Sequence, residues 1–529
     1  MSSIVKQKVG SNIYLYESVS YRNDQGKPRN RRVPIGKIDP ETGNPVFKLE
    51  YIERMARNNT PVEVHSSQKI FSKDDVRSSS IKEFGAFFLL NRIAQEMGLL
   101  QSIQESSPSN WRELFLLACY LVTTGNPFSY CEGWISNTEC IPAKEMSSQR
   151  ISDLLAAVSS KEREAFFQAW CNLRSEKEYL ALDITSVSSY SKLISDIEWG
   201  YNRDGEQLPQ VNLCMLMGEK SRLPIYQTLY SGSLKDVSSL KTTLSKMDAI
   251  SGGKPLLIVM DKGFFSAKNI NTMLSSDGLR FVTAVPFSAS FAKNQVISEC
   301  KSIDCIENTF VLGSDSIRGI TKLRSWNRNC KVFVHIYYNA VRAMKAREEL
   351  YAHVSLLKDS AKKDPATAML QDECKKYLLI RQSKKAATGY TVKIRTDVIN
   401  NELKHAGWMI LISNHINDTK EALRIYREKD VVEKGFMRLK NCLDLSRLRV
   451  HHENSMQNKT FVGFIALILL SQIHKVMLDK ELYKQMTMRK LLMTLSKLRV
   501  QTINGDRIMF PLTKEQKGIY KAFEIEEPV

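Results

Sequence analysis

The sequence predicts an α/β protein: a mixed-sheet core with a β-rich insertion, preceded by a small β-hairpin unit and a helical domain. Three features predict it. Hydrophobic residues follow a helical period over roughly residues 76–175. From residue 176 the pattern changes to short apolar strands alternating with helices, the signature of an α/β sheet. Strand-like pieces over 287–415 then interrupt this rhythm, and 416–529 is again mostly helical.

The first 50 residues alternate as strands do and turn at Asp24-Gln25-Gly26-Lys27-Pro28. Six basic residues and one acid lie between Arg22 and Lys37, which makes residues 1–75 a basic hairpin unit. Phe84, Phe87, Phe88, Ile93 and Met97 begin the helical region of residues 76–175. Residues 176–286 open with the strand Tyr179 to Ile184 and continue with Val211 to Met217 and Leu223 to Tyr230. A helix at Val237 to Met247 leads to the apolar run Leu256 to Met260, which is what a fully buried strand needs, and Asp261 follows it. Lys420 to Leu443 reads as one strong helix, and Phe461 to Leu478 and Leu482 to Leu498 as two more.

Composition narrows the function classes. Lys and Arg number 76 against 57 Asp and Glu, a formal charge of +19 on an ordinary globular composition with 43% hydrophobic residues. That charge favours a polyanionic partner. Met1 to Val9 carries no secretory signal, and the longest apolar run, Phe461 to Leu470, falls short of the ~20 residues that span a bilayer, so membrane spanning is excluded. Ten cysteines without a C-x-x-C pair argue against zinc or a disulfide framework and suit a reducing cytosol. Ser, Cys and His nucleophile sets find no support in the spacing.

The informative segment is Ile425 to Lys440. At about 100° per residue, Tyr426, Lys429, Glu433 and Lys440 share one narrow stripe, beside a buried face of Ile425, Val432, Phe436, Leu439 and Leu443. A carboxylate there looks into a cleft, flanked by two cations and a phenol. Asp183 and Asp261 each terminate an apolar strand, and ligands of open α/β sheets bind at the carboxyl ends of strands. Taken singly, either aspartate reads equally as a strand-end cap. Taken with Glu433, they form the oxygen donor set that Mg²⁺ or Mn²⁺ prefers. Two such ions could clamp the attacking and leaving oxygens of a phosphoryl displacement.

These residues resemble a known family. Tyr426, Lys429, Glu433 and Lys440 are similar to the Y-(2)-R-(3)-E-(6)-K signature of bacterial insertion-sequence DDE transposases, with Lys429 where Arg is usual. Asp183-Ile184-Thr185 and Asp261-Lys262-Gly263-Phe264 look like the family's two aspartate motifs, as do Leu208 to Val211 and Gly232 to Asp236, with Ser233 where Asn is usual. The resemblance implies a ribonuclease H-like core and a β-rich insertion. It further implies catalysis and metal ligation by Asp183, Asp261 and Glu433, with two Mg²⁺ or Mn²⁺ ions. Its phosphate-binding residues would be Tyr426, Lys429 and Lys440. The activity implied is cleavage at terminal inverted repeats and strand transfer into target DNA, by a homodimer on double-stranded DNA, in the bacterial cytoplasm near the nucleoid. A nuclease or resolvase on the same core and a silent DNA-binding protein stand as alternatives.

Other residues carry two readings each. Arg447, Arg449, His451 and His452 are a solvated loop or a contact to the DNA backbone, as are the basic positions from Lys475 to Arg499. Trp326 and Trp408 are core residues or stacking platforms for an unpaired base. Thr185 is either structural or part of the site.

Overall fold

The computed structural model of the chain describes residues 2–10, 12–23, 26–40, 43–57, 73–174, 178–251, 255–383 and 389–528. It contains two units, Met1–Ser80 with Gln501–Ile508, and Ile81–Val500 with Met509–Val529. The second unit is built on one mixed sheet of ten strands. They are β1 (Leu180–Ser189), β2 (Gln210–Gly218), β3 (Pro224–Ser231), β4 (Leu256–Met260), β5 (Leu279–Ala284), β6 (Thr309–Leu312), β7 (Asp315–Ser325), β8 (Lys331–Tyr338), β9 (Trp408–Ser413) and β10 (Arg447–Leu448).

Their order is β6-β7-β8-β9-β5-β4-β1-β2-β3, with β10 beside β1. β1, β2 and β3 are antiparallel neighbours. Every residue of β2 is buried, as a central strand requires. β4 runs parallel to both β1 and β5. Parallel neighbours need crossovers, and the helices Asp236–Ser251 and Ala267–Leu274 supply them before and after β4.

The segment 287–415 differs from its expected form. β6, β7, β8 and β9 do not make a separate β-rich body; they extend the central sheet, with β9 antiparallel to both β5 and β8. Period-two patterning marks a strand but not its partner, so the sequence left this open. What stands apart is largely helical: Ala340–Lys363 and three short helices pack with the hairpin Leu378–Gln382 and Tyr390–Ile394 on a small core of its own around Val354, Cys374 and Tyr377.

Two consecutive helices follow β9, α1 (Thr419–Glu428) and α2 (Asp430–Cys442), and α3 (Glu453–Asp479) follows β10. α3 corrects the expectation about membrane-length helices. Its 27 residues are long and apolar enough to cross a bilayer, because Ser, Gln and His interrupt the apolar run without breaking the helix. Within the fold, 72% of its apolar window is buried, packed with the helices of residues 85–173, so it serves as a core helix.

The first unit holds a four-stranded antiparallel sheet, Ser2–Val9, Asn12–Arg22, Pro28–Ile38 and Pro45–Phe47, in sequence order. The expected hairpin is its central pair; Asp24 and Gln25 of the turn lie outside the described residues, as does the boundary at 175/176. Leu15, Ile35 and Tyr51 form its core, while Arg29, Arg31 and Arg32 are exposed.

Candidate active site

Parallel pairing sets the first two acids. β1 and β4 pair as Leu180 with Ile258, Ala181 with Val259 and Leu182 with Met260. Asp183 and Asp261 are the residues that follow the last pair on their two strands, and the Asp261 charge is felt at Asp183. Asp183 does not terminate its strand, as the sequence suggested, because β1 continues to Ser189 against β2. The neighbour ends instead: β4 stops at Met260, and Asp261 enters the short turn Lys262–Phe264.

The third acid arrives on α2. The expected single helix is broken at Lys429, so Glu433 falls in the first turn of α2, where the helix dipole favours a negative charge. Gly435 holds α2 close to β2, since a Cβ there would lie 2.3 Å from the Met217 sulfur. Ile425, Val432, Phe436, Leu439 and Leu443 are buried as their spacing predicts.

The stripe residues meet the aspartates. The Tyr426 hydroxyl donates to Asp261 Oδ1 at 2.8 Å. Lys429 Nζ lies 2.8 Å from Glu433 Oε1 and 3.8 Å from Asp261 Oδ1, with its side chain only 12% exposed. Burial pulls the Lys429 pKa down, but Glu433, Asp261 and Asp183 outweigh this and raise it. Burial pushes the Asp183 carboxyl up to about 6; the Ile184 N–H, Lys429 and Arg203 offset part of the rise and the Asp261 charge adds to it. The Tyr426 hydroxyl is pushed up by burial and then by Asp261, so it stays a protonated donor.

Oxygen donors on three carboxylates suit a hard divalent cation, and Asp183 is a half-buried carboxylate that accepts a hydrogen bond from the Ile184 N–H. Among the described residues, however, no three acidic, His or Cys side chains converge closely enough to hold a metal ion as they stand. The Asp261 charge raises Asp183, and the Lys429 ammonium, standing on Glu433 and near Asp261, counters it. A compact ammonium fits between two carboxylates, where a flat guanidinium would demand a bidentate partner. The donor chemistry fits, and Lys429 stands on two of the three acids.

The other candidates divide. Lys440 Nζ donates to Thr185 Oγ1 at 2.8 Å and to Asp204 Oδ2 at 2.6 Å, which ties α2 to β1 two residues beyond Asp183. Arg447 is held by Glu206 and the Tyr190 hydroxyl, both at 2.8 Å, and Arg449 by Asp444 at 2.7 Å. His451 and His452 are exposed. Lys480, Lys484 and Lys490 pair with Glu524, Glu481 and Glu515. Trp326 packs edge-on to Phe265 and Phe291 and donates to Asn271, a structural role. Trp408 lines a cavity of about 750 Å³ that also reaches Asp261 and Tyr426.

Sequence reasoning missed Arg203, which grips Asp236 with two 2.6 Å bonds, and the acids Asp204 and Glu206. They sit in the loop between β1 and β2, whose lack of periodicity gave no signal. Their concentration between two strands of the core was the one available hint.

A family model described as the transposase DDE domain matches residues 174–469. The chain belongs to this family. Six chains of known structure are also similar to it. One is a piggyBac transposase in a synaptic complex with hairpin DNA, 10% identical, with 84% of this chain and 74% of that one covered and a TM-score of 0.36. No curated protein matches. The large mixed sheet is consistent with the ribonuclease H-like core of DDE transposases, and membership implies a phosphoryl-transfer enzyme.

Proposed function

We propose that this DDE transposase cleaves DNA at the terminal inverted repeats of an insertion sequence and transfers the strands into target DNA. The observation that carries the reading is the register of β1 on β4, which sets Asp183 beside Asp261 with α2 delivering Glu433 to the same cation. Asp183, Asp261 and Glu433 are the residues that would hold Mg²⁺ or Mn²⁺, and such ions supply Lewis acidity at the scissile phosphate.

The chain's own groups account for the rest. Lys429, which stands on Glu433 and near Asp261, is the cation that would meet a phosphate if the three carboxylates held a metal. Tyr426 orients Asp261 through its hydroxyl. Lys440 fixes α2 against the strand of Asp183 and reaches a phosphate once it leaves Asp204. Arg447 and Arg449 are outer phosphate contacts that exchange an acid for the DNA backbone. A bacterial insertion-sequence origin agrees with the Tyr426 to Lys440 signature, and joining two element ends calls for a dimer on DNA.

The test is incubation of the protein with element-end DNA and Mg²⁺, alongside Glu433→Gln. Cleavage and joining by the wild type should fall about 10³-fold in the variant, the loss of several kcal/mol of charge stabilisation. Equal activity of the two would sink the assignment.

A further inference from the structure

Three consecutive residues of the loop between β1 and β2, Asn202, Arg203 and Asp204, reach every element that carries one of the three acids. On β1, the strand of Asp183, the Asn202 amide donates to the Ser188 hydroxyl at 3.1 Å and the Arg203 N–H to the Ser186 hydroxyl at 3.3 Å; both serines are fully buried. On α2, the helix of Glu433, Lys440 donates to Asp204 at 2.6 Å. The Arg203 side chain supplies the third link.

Its guanidinium donates to both oxygens of Asp236 at 2.6 Å, and Asp236 is the first residue of the helix Asp236–Ser251. That carboxylate stands against the turn that follows Asp261: a Cβ on Gly263 would lie 3.1 Å from Asp236 Oδ2. Asn269 fastens the same junction, its amide donating to the carbonyls of Val237 at 2.9 Å and Phe264 at 2.8 Å. A chain of contacts thus runs from β1 through Arg203 and Asp236 to the turn Lys262–Phe264, which Asp261 opens. The pair's side chains are 26% and 24% exposed, so each charge leans on the other in place of water.

The backbone ladder leaves a need for such a link. Pairing of β1 with β4 ends at Leu182 and Met260, one residue short of both aspartates, so the ladder does not itself hold Asp183 against Asp261. We propose that the Arg203–Asp236 pair is a positioning clamp that ties the strand of Asp183 to the turn of Asp261 and so sets the first two carboxylates for a divalent cation. The clamp rests on the metal-dependent reading above and acts through those carboxylates. Charge and position make opposite demands on Arg203. By charge alone, removing a cation felt at Asp183 would tighten a metal ion, and removing the Asp236 charge would loosen it. A clamp fails whichever end is cut, so either loss loosens the ion.

The experiment measures Mn²⁺ binding to the full chain, alone and with element-end DNA, from the electron paramagnetic resonance of the free ion, well below the melting temperature. Arg203→Ala and Asp236→Asn should each weaken binding about tenfold or more, the scale on which outer partners of metal ligands act. Asp236→Asn keeps the side chain's shape, so it tests the pair even where Arg203→Ala does not fold. The double variant should bind no worse than either single one, because a pair already cut has nothing left to lose. Arg324→Ala breaks a comparable ion pair, with Glu299 on another part of the sheet, and should bind Mn²⁺ as the wild type does. Tighter binding by Arg203→Ala, unchanged binding by Asp236→Asn, losses that add in the double variant, or an equal loss in Arg324→Ala would overturn the clamp and leave the transposase reading standing. Wild-type protein that binds no Mn²⁺ in either state removes both.

Discussion

Replacing Asp183 by Asn should stabilise the metal-free protein while abolishing its activity. The Asp183 carboxyl is carried from an ordinary 3.8 to about 6, chiefly by burial. At ~1.36 kcal/mol for each pH unit, keeping it ionised in the fold costs about 3 kcal/mol. The direction follows from proton uptake. The folded state binds this proton more readily than the unfolded one, so the contribution to stability is most favourable below 3.8, declines as pH rises to about 6, and is flat above. Asn retains the oxygen that accepts the Ile184 N–H and carries no charge. In EDTA at pH 8, Asp183→Asn should therefore gain up to about 3 kcal/mol in denaturant unfolding, and at pH 4 only about 0.5 kcal/mol. A variant less stable than wild type at pH 8, or a gain that does not shrink toward pH 4, would refute the account of the site as a strained cluster of acids.

Three further outcomes follow from other contacts. Tyr426→Phe removes the donor to Asp261 and should cost about 1 kcal/mol, seen as a lower melting temperature without loss of the folded circular dichroism spectrum. Gly200→Ala meets the Gly232 carbonyl at 2.0 Å and should destabilise the protein by about 1–3 kcal/mol; a neutral substitution would show that the loop is not pinned. Buried His335, bonded to Thr321 and Ser413, has its pKa lowered to about 4 by burial. The unfolded chain then binds the proton more readily, so this site's contribution is complete above 6.5 and is lost as pH falls toward 4, a trend that His335→Gln should remove from the pH profile of unfolding.

How much was legible can be argued from single residues. Tyr426, Lys429 and Glu433 could be grouped from sequence because they obey the helical period, and Lys429, though it divides the two helices, keeps helical dihedrals. Asp183 was found as an acid in an apolar strand, but its place opposite Asp261 depends on register, which pairing sets and local pattern does not. Lys440, Arg447 and Arg449 looked like free cations; their partners Asp204, Glu206 and Asp444 were visible in the sequence only as surface acids. The need for glycine at position 200 left no trace in any periodicity, because the backbone that a Cβ there would strike, the Gly232 carbonyl, lies 32 residues away in the chain.

The sequence by itself determined the apolar strands, the amphipathic helix with its polar stripe, the three acids and the positive balance. Each is a property of residue type and spacing, which short-range geometry converts directly into a face. Only the tertiary structure decided that β6 to β9 join the central sheet, that Glu433 falls in the first turn of a new helix, and that Lys429 stands among the acids. Those outcomes depend on which distant backbone edges pair and which charges they bring together, and in a buried cluster each charge is set by neighbours that lie far away along the chain.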